Sequence, residues 1–218
     1  MKTSIKNLIS TVLATVVLTS SAFAATDIQK STNAVTVLNQ VKNIKKLMVS
    51  GNVEVFIVQS PVESVKVYDT YYSKNALVQQ EDGVLRISSY QKEKLQVAVY
   101  VNDISSIQAS DNATVRTFGK VSFLSLDLIL KDKASADMDL NTVSLYTSVR
   151  DNASLNLSGS SEDHTAVLSS MSKISMNHFT ATTSSVSSIN NKIVAKAVSA
   201  GQTFEGLSAL EGDLNMGK

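Results

Sequence analysis

The 218-residue chain contains no cysteine and no tryptophan, one proline and only two histidines, His164 and His178. Without cysteine there is no disulfide framework and no thiolate metal site. The two histidines lack the spacing of a metal site, so we expect both at the surface. Basic and acidic residues number 20 and 19 and form no basic cluster, which argues against a nucleic-acid or anionic-membrane partner.

The sequence also lacks the common catalytic motifs. No Gly-x-Ser-x-Gly elbow, phosphate-binding glycine-rich loop, dinucleotide fingerprint or His-Glu-x-x-His helix is present. Serine is abundant, but it recurs at predicted corners of the chain rather than in a nucleophile motif. The sequence therefore predicts a protein that is not an enzyme and that needs no organic cofactor.

The N-terminal segment 1–24 has the pattern of a secretory signal peptide. Lys2 and Lys6 form a short basic region, an apolar run follows over 8–18, and Ala22-Phe23-Ala24 supplies a small-x-small cleavage site. The run is too short to span a bilayer comfortably, and no positively charged stop-transfer pattern follows it. An uncleaved membrane anchor is the alternative. We expect cleavage after Ala24 and a chain without a membrane span that is periplasmic, on the outer surface or secreted.

After the signal peptide, the sequence favours β-structure. The segment 25–40 is polar and is expected to lead into the fold. From position 41 onward apolar side chains alternate with others, as at Val53, Val55 and Ile57, and Asp82-Gly83 is a strong turn signal. We predict that 41–101 form antiparallel or mixed strands that cap a repeat region over 102–216, so that 41–216 is one domain.

One six-letter phrase recurs six times in the second half of the chain, and its starts follow one another at intervals of 21, 19, 19, 15 and 21. This is the period of a solenoid. Position four is always small and position six always apolar, so both would face the core, while the Asp, Ser or Gly at position two indicates a left-handed corner. The phrases are SDNATV (110–115), KDKASA (131–136), RDNASL (150–155), SSMSKI (169–174), SSVSSI (184–189) and EGLSAL (205–210).

The repeat predicts an all-β fold in which about six coils stack as a single-stranded parallel β-helix. Strands one coil apart would run in the same direction, so the sheets would be parallel and the buried columns apolar. The short interval between the fourth and fifth phrases predicts one coil that lacks a loop or one side.

The chain resembles the putative auto-transporter adhesin head domain, often called the GIN domain, from about Val41 to Met216. The resemblance is carried by the six phrases and by the opening segment 49–55, Val-Ser-Gly-Asn-Val-Glu-Val, followed by Gln59-Ser60. It implies a right-handed parallel β-helix in an exported protein of Bacteroidetes type whose biochemical activity is unknown. The chain departs from the family at position two, where Asp or Ser replaces glycine in every phrase except at Gly206. Either these corners are not strictly left-handed, or Asp and Ser accept the conformational cost, which for Asp is modest.

Three acidic residues, Asp111, Asp132 and Asp151, occupy position two of the first three phrases. In register on successive coils, their carboxylates would lie about 5 Å apart along one edge. Such a ladder could bind Ca²⁺, and acid clusters on larger β-helices also cleave polysaccharides. The alternative is that the three are solvated turn residues that accept hydrogen bonds from local backbone amides.

Five of the six tyrosines lie between positions 68 and 100. Exposed tyrosines bind sugars and proteins well because each has a flat apolar face and a polar tip. Tyr71 and Tyr72 have polar neighbours and are therefore predicted to form a binding face for a glycan or a cell-surface protein. The alternative is that the tyrosines serve only as strand residues.

The leading functional hypothesis is an exported, non-catalytic binding or adhesion module of the cell envelope. One alternative is a polysaccharide-acting enzyme that uses Asp111, Asp132 and Asp151, and another is a purely structural envelope protein. The sequence predicts neither a particular ligand nor an oligomeric state.

Overall fold

The computed structural model describes residues 35–68, 76–189 and 203–205, and these residues form strands and no helix. The all-β prediction is confirmed. Within the described part of the chain, nothing qualifies as a helix long and apolar enough to cross a membrane. The strands are β1 (Val35–Leu38), β2 (Lys46–Gly51), β3 (Val53–Gln59), β4 (Ser64–Tyr68), β5 (Ala76–Glu81), β6 (Val84–Ser89), β7 (Leu95–Val101), β8 (Ser106–Ala109), β9 (Thr114–Thr117), β10 (Val121–Leu130), β11 (Ser135–Val149), β12 (Ser154–Leu168), β13 (Lys173–Ser188) and β14 (Thr203–Glu205).

The strands pair in two ladders. The first ladder has the order β5-β6-β2-β8-β10 and continues through the second halves of β11, β12 and β13. The second has the order β1-β4-β7-β3-β9 and continues through the first halves of β11, β12 and β13 to β14. The long strands β11, β12 and β13 therefore belong to both ladders and join them into one sheet.

Successive strands in the repeat region run parallel with an offset close to the phrase period. Ala136 pairs with Val115 of the preceding phrase and with Leu155 of the following one. This register stacks the phrases on one another and buries positions four and six of the first four phrases. The buried residues are Ala113, Ala134, Ala153 and Ser172 at position four, and Val115, Ala136, Leu155 and Ile174 at position six. The predicted inward columns are confirmed for these four phrases.

The N-terminal strands are mixed, as expected, but they do not stack in chain order. β2 lies between β6 and β8, and β3 lies between β7 and β9, always in parallel pairs. The segment 46–59 therefore stacks directly on 106–117, and 84–101 lies on its other side. The antiparallel strands β1, β4 and β5 stand at the ends of the two ladders. Because β1 covers 35–38, the sheet begins within the stretch expected to be a polar leader.

The prediction of a corner at the fifth phrase, 184–189, is wrong. Ser184 to Ser188 lie inside β13, where Ser184 pairs with His164, and Ile189 at position six is half exposed. Pairing of β12 with β13 continues to Leu168 and Ser188 through one irregularity between Asn156 and Ser158, so the predicted loss of a loop or side is not seen in the described part of β13. The fifth phrase therefore has the residue pattern of the others but does not take their position between two strands. The sixth phrase lies almost wholly outside the described residues.

Candidate functional site

Asp111, Asp132 and Asp151, the predicted aspartate ladder, lie one above another. They occupy the corner where the chain passes from the first β-ladder to the second. All three have positive φ angles, 59° for Asp111, 59° for Asp132 and 56° for Asp151. The predicted left-handed corner is therefore confirmed at these positions. Aspartate tolerates this backbone conformation better than most residues, because its short side chain can bond to nearby backbone groups.

Each of these carboxylates accepts a hydrogen bond from the backbone amide of the neighbouring corner. Asp151 Oδ2 lies 3.2 Å from the amide nitrogen of Asp132, and Asp132 Oδ2 lies 3.1 Å from that of Asp111. Asp111 Oδ2 accepts from the amide of Gly51 at 2.9 Å, so the end of β2 joins the same column. The Tyr90 hydroxyl also contacts Asp111 Oδ2 at 3.4 Å. The three aspartates thus link four corners, through bonds to the amides of adjacent corners instead of the local amides expected from turn chemistry.

The ladder geometry favours a structural role over a metal site. In the described residues, no group of three or more His, Cys, Asp or Glu side chains is placed to hold a metal ion. Each aspartate directs one carboxylate oxygen to a backbone amide rather than to a point shared with the other two. Calcium binding by Asp111, Asp132 and Asp151 stays a prediction.

Replacing Asp132 tests the ladder. Asp132→Ala removes the acceptor for the Asp111 amide and puts a residue that disfavours positive φ at the corner. We expect a loss of about 2 kcal/mol in the free energy of unfolding, measured by urea denaturation. Asp132→Asn keeps an acceptor oxygen and tolerates the left-handed conformation, so its loss should be below about 1 kcal/mol. Equal losses in the two variants would contradict a hydrogen-bond role.

Adding calcium to the parent protein and to Asp132→Asn distinguishes a hydrogen-bonding role of the aspartates from calcium binding by them. A bound ion would raise the melting temperature of the parent at millimolar Ca²⁺ and would raise it less in Asp132→Asn. The hydrogen-bond role alone predicts unchanged melting curves for both proteins.

Among the described tyrosines, Tyr68 and Tyr100 lie on the outward face of the paired strands β4 and β7, whereas Tyr90 lies apart from them beside Asp111. Tyr68 is exposed at the end of β4, the ring centre of Tyr100 on β7 lies 4.8 Å from the Lys66 ammonium, and Tyr90 is exposed at the ladder corner. Tyr71 and Tyr72, the predicted binding pair, lie outside the described residues.

The expectation that His164 lies at the surface is wrong, because it is buried in the core with 1% of its area exposed. Its Nε2 lies 3.1 Å from Thr147 Oγ1, its Nδ1 lies 3.3 Å from Ser184 Oγ, and its ring meets Phe179 edge to face at 5.3 Å. A neutral imidazole can donate to one hydroxyl and accept from the other. Burial lowers the pKa of His164 to about 4.

The strand register carried a signal for this burial, because His164 on β12 pairs with the buried Leu145 on β11. A side chain one period after a buried one points the same way. His178 is exposed, as expected.

A concave surface that the sequence did not predict lies on the outside of the first ladder, and we call it the outer groove. It has a volume of about 340 Å³. One row of its side chains crosses four neighbouring strands and consists of Arg86, Met48, Gln108 and Ile129. A second row continues the same strands toward the corner and includes Ser88, Ser50, Ser110 and Lys131, with Leu77 at the edge.

The outer groove carries positive charge without a matching carboxylate. Of the residues that the structure describes, Arg86 and Lys131 line it and no aspartate or glutamate does. In the described parts of the chain, neither cation takes part in an ion pair or a side-chain hydrogen bond. This arrangement can attract and hold an anionic group.

A second surface cavity, of about 420 Å³, lies between the segment 39–45 and the loops around Glu63 and Asp103. Three of its four charged side chains, those of Lys45, Glu63 and Asp103 but not Lys42, are already engaged. The Glu63 carboxylate accepts from the amides of Asn43 and Ile44, and Lys45 pairs with Asp103 at 2.9 Å. These contacts fasten the N-terminal segment, so the outer groove is the better candidate for a binding site.

Comparisons with known proteins give a family and a fold. A family model described as putative auto-transporter adhesin, head GIN domain, matches residues 43–194. A putative adhesin from Bacteroides fragilis has a similar structure, with a TM-score of 0.60 and 14% identity over 71% of this chain and 75% of that one. A putative adhesin from Parabacteroides distasonis gives 0.56 and 16% over 71% and 77%.

A third similar structure, from Parabacteroides distasonis, is described as a putative lipid binding protein, with a TM-score of 0.53 and 9% identity over 68% of this chain and 75% of that one. No curated protein sequence matches the chain. At these identities the structural likeness concerns the fold alone.

Proposed function

The chain belongs to the family described as putative auto-transporter adhesin, head GIN domain, and from this we propose that it is an exported, non-catalytic binding module of the cell envelope. The observation that carries the proposal is the outer groove, an open surface where Arg86 on β6 and Lys131 just after β10 have no side-chain partner among the described residues. Its ligand would be a glycan or a cell-surface protein, held without chemical change.

The surroundings of the titratable groups support a binding role over catalysis. An active site usually places a group with a strongly shifted pKa in a cleft. In the described chain the strongly lowered pKa is that of His164, which faces two hydroxyls and a phenyl ring inside the core. Asp111, Asp132 and Asp151, the acids of the alternative polysaccharide-cleaving enzyme, already accept backbone hydrogen bonds.

The proposal includes a right-handed parallel β-helix as the scaffold. Parallel pairing at offsets close to the phrase period supports it, because a chain that pairs with itself once per repeat is wound in coils. The strands β11, β12 and β13, which pass from one ladder to the other, supply the continuous path such a coil needs. Strands of this kind hold outward side chains in fixed rows, which suits an extended ligand.

The proposed binding takes place after export of the protein. The proposed signal peptide, 1–24, would be removed and would leave a single head domain over 41–216 in the periplasm, on the outer surface or in the medium. N-terminal sequencing of the exported protein should therefore begin at Ala25.

A glycan array and a whole-cell binding assay test the proposed function. The purified protein should bind saturably to at least one glycan or to envelope preparations, whereas a purely structural protein would bind neither. Absence of binding by the parent protein to every glycan and envelope fraction would contradict the proposal.

Replacing Tyr71 and Tyr72 together by alanine tests their part in this binding. We expect weaker binding, because the variant loses two flat apolar faces with polar tips. A circular dichroism spectrum like the parent's shows that the fold is kept.

A further inference from the structure

We propose that the outer groove binds an acidic saccharide, that is, a sugar chain bearing carboxylate or sulfate groups. This inference rests on the proposed binding function and names the class of ligand. The groove is built on five strands of the first ladder, so its side chains are held by backbone pairing rather than by a loop.

Charge is the first feature that favours an acidic ligand. Arg86 and Lys131 line the groove, no carboxylate lines it, and neither cation has a side-chain partner within the described residues. Arg86 lies on β6, whereas Lys131 directly follows β10, and β2 and β8 separate those strands. At the usual strand spacing the two positions are about 14 Å apart across the sheet, which matches an extended ligand with several anionic groups rather than one small anion. Arginine binds carboxylate and sulfate through paired hydrogen bonds, and lysine acts as a point charge.

The second feature that favours a saccharide is the floor of the groove, meaning the side chains that lie between Arg86 and Lys131. It offers three serine hydroxyls and the amide of Gln108, all of which can exchange hydrogen bonds with sugar hydroxyls. Met48 and Ile129 are interspersed with them and present apolar surface to the C–H faces of a sugar ring. A saccharide requires this alternation of hydrogen-bonding and apolar side chains. The three serines are Ser50, Ser88 and Ser110.

The same floor argues against an acyl chain. A lipid tail needs an enclosed apolar cavity that removes most of its surface from water. Here four of the lining side chains are short hydroxyls or an amide, and the groove lies on the outside of the sheet. A saccharide bound along the surface loses less from this exposure, because its hydroxyls stay hydrated.

Calorimetric titration with defined oligosaccharides tests the inference. The probes are a hexamer of galacturonic acid, a sulfated hexasaccharide and a neutral galactose hexamer. We expect one or both acidic probes to bind, the neutral hexamer to bind at least about tenfold more weakly, and acidic binding to weaken as salt rises. The two acidic probes distinguish carboxylate from sulfate as the recognised group.

Charge-removing variants assign this binding to the groove. Arg86→Gln combined with Lys131→Gln should weaken acidic binding on the order of a hundredfold, since each lost charged contact costs on the order of tenfold. Lys94→Gln combined with Lys120→Gln removes the same charge at exposed positions outside the groove and should leave affinity nearly unchanged. The melting temperature of each variant shows whether it is folded.

Two results would overturn the inference. One is failure of both acidic probes to bind, and the other is equal affinity in the groove variant and the parent. If neutral glycans or envelope fractions still bind in either case, the proposed binding function stands while the acidic ligand is rejected.

Discussion

Gly159→Ala is expected to destabilise the fold by about 4 kcal/mol, because two costs fall on the same residue. Gly159 has φ +98°, a conformation that residues with a side chain rarely adopt, and an added Cβ would lie 2.1 Å from the carbonyl oxygen of Leu140. That oxygen belongs to the backbone of the neighbouring β11, so it can move away only if the pairing of β11 with β12 is disturbed. Urea denaturation followed by circular dichroism measures the loss.

Gly119→Ala is the matched control for this substitution. Gly119 also has a positive φ, +79°, but nothing lies within 4 Å of the position that a Cβ would take there, on the turn before β10. Only the conformational cost remains, so we expect a loss of about 1 kcal/mol. Equal losses in the two variants would contradict the expectation that contact with the Leu140 carbonyl adds to the cost of a side chain at Gly159.

Acid should destabilise the protein through His164, and this is the second large effect. Burial lowers the pKa of His164 to about 4 from 6.5, so the unfolded chain takes up the proton first when the pH falls. The contribution is therefore complete above pH 6.5 and is lost between 6.5 and 4, with a total of about 3 kcal/mol. At pH 5 the loss relative to pH 7.5 should be about 2 kcal/mol. Urea denaturation at each pH measures it.

Two histidine variants isolate this effect from that of the carboxylates. His164→Gln removes the titrating group, so the pH-dependent loss between 7.5 and 5 should shrink by about 2 kcal/mol even though the variant starts from lower stability. His178→Gln makes the same change at an exposed histidine on the adjacent strand and is the matched control. A His164→Gln profile parallel to that of the parent would show that His164 is protonated equally well in both states.

The part of the fold set by local repetition could be predicted from the sequence. Ala134 and Ala136 occupy positions four and six of their phrase, and stacking on the neighbouring phrases buries both columns. The corner predicted at the fifth phrase was wrong because the serine-rich sequence at 184–189 resembles that of the true corners. In the structure this segment is part of the long β12–β13 pairing. His164 could have been placed inside by adding one period to Leu145, since the register and not the residue type fixes the direction of a side chain.

The candidate site could not be predicted, because its rows join strands that are distant in sequence. Met48 meets Arg86 on one side and Gln108 on the other, since β2 inserts between β6 and β8. These N-terminal strands carry no repeat phrase, and alternation alone does not say which strands become neighbours. The aspartate column, by contrast, was visible in the sequence, while its bonds to the amides of adjacent corners required the structure.

Binding of an envelope ligand without chemical change distinguishes the proposed module from an enzyme and from a purely structural protein. The most direct test is to incubate the purified protein with envelope polysaccharide to equilibrium, and to measure both the bound protein and the release of new reducing ends. Saturable binding with unchanged polysaccharide is the predicted result. Release of shortened products, or the absence of binding at any protein concentration tested, would contradict the proposed function.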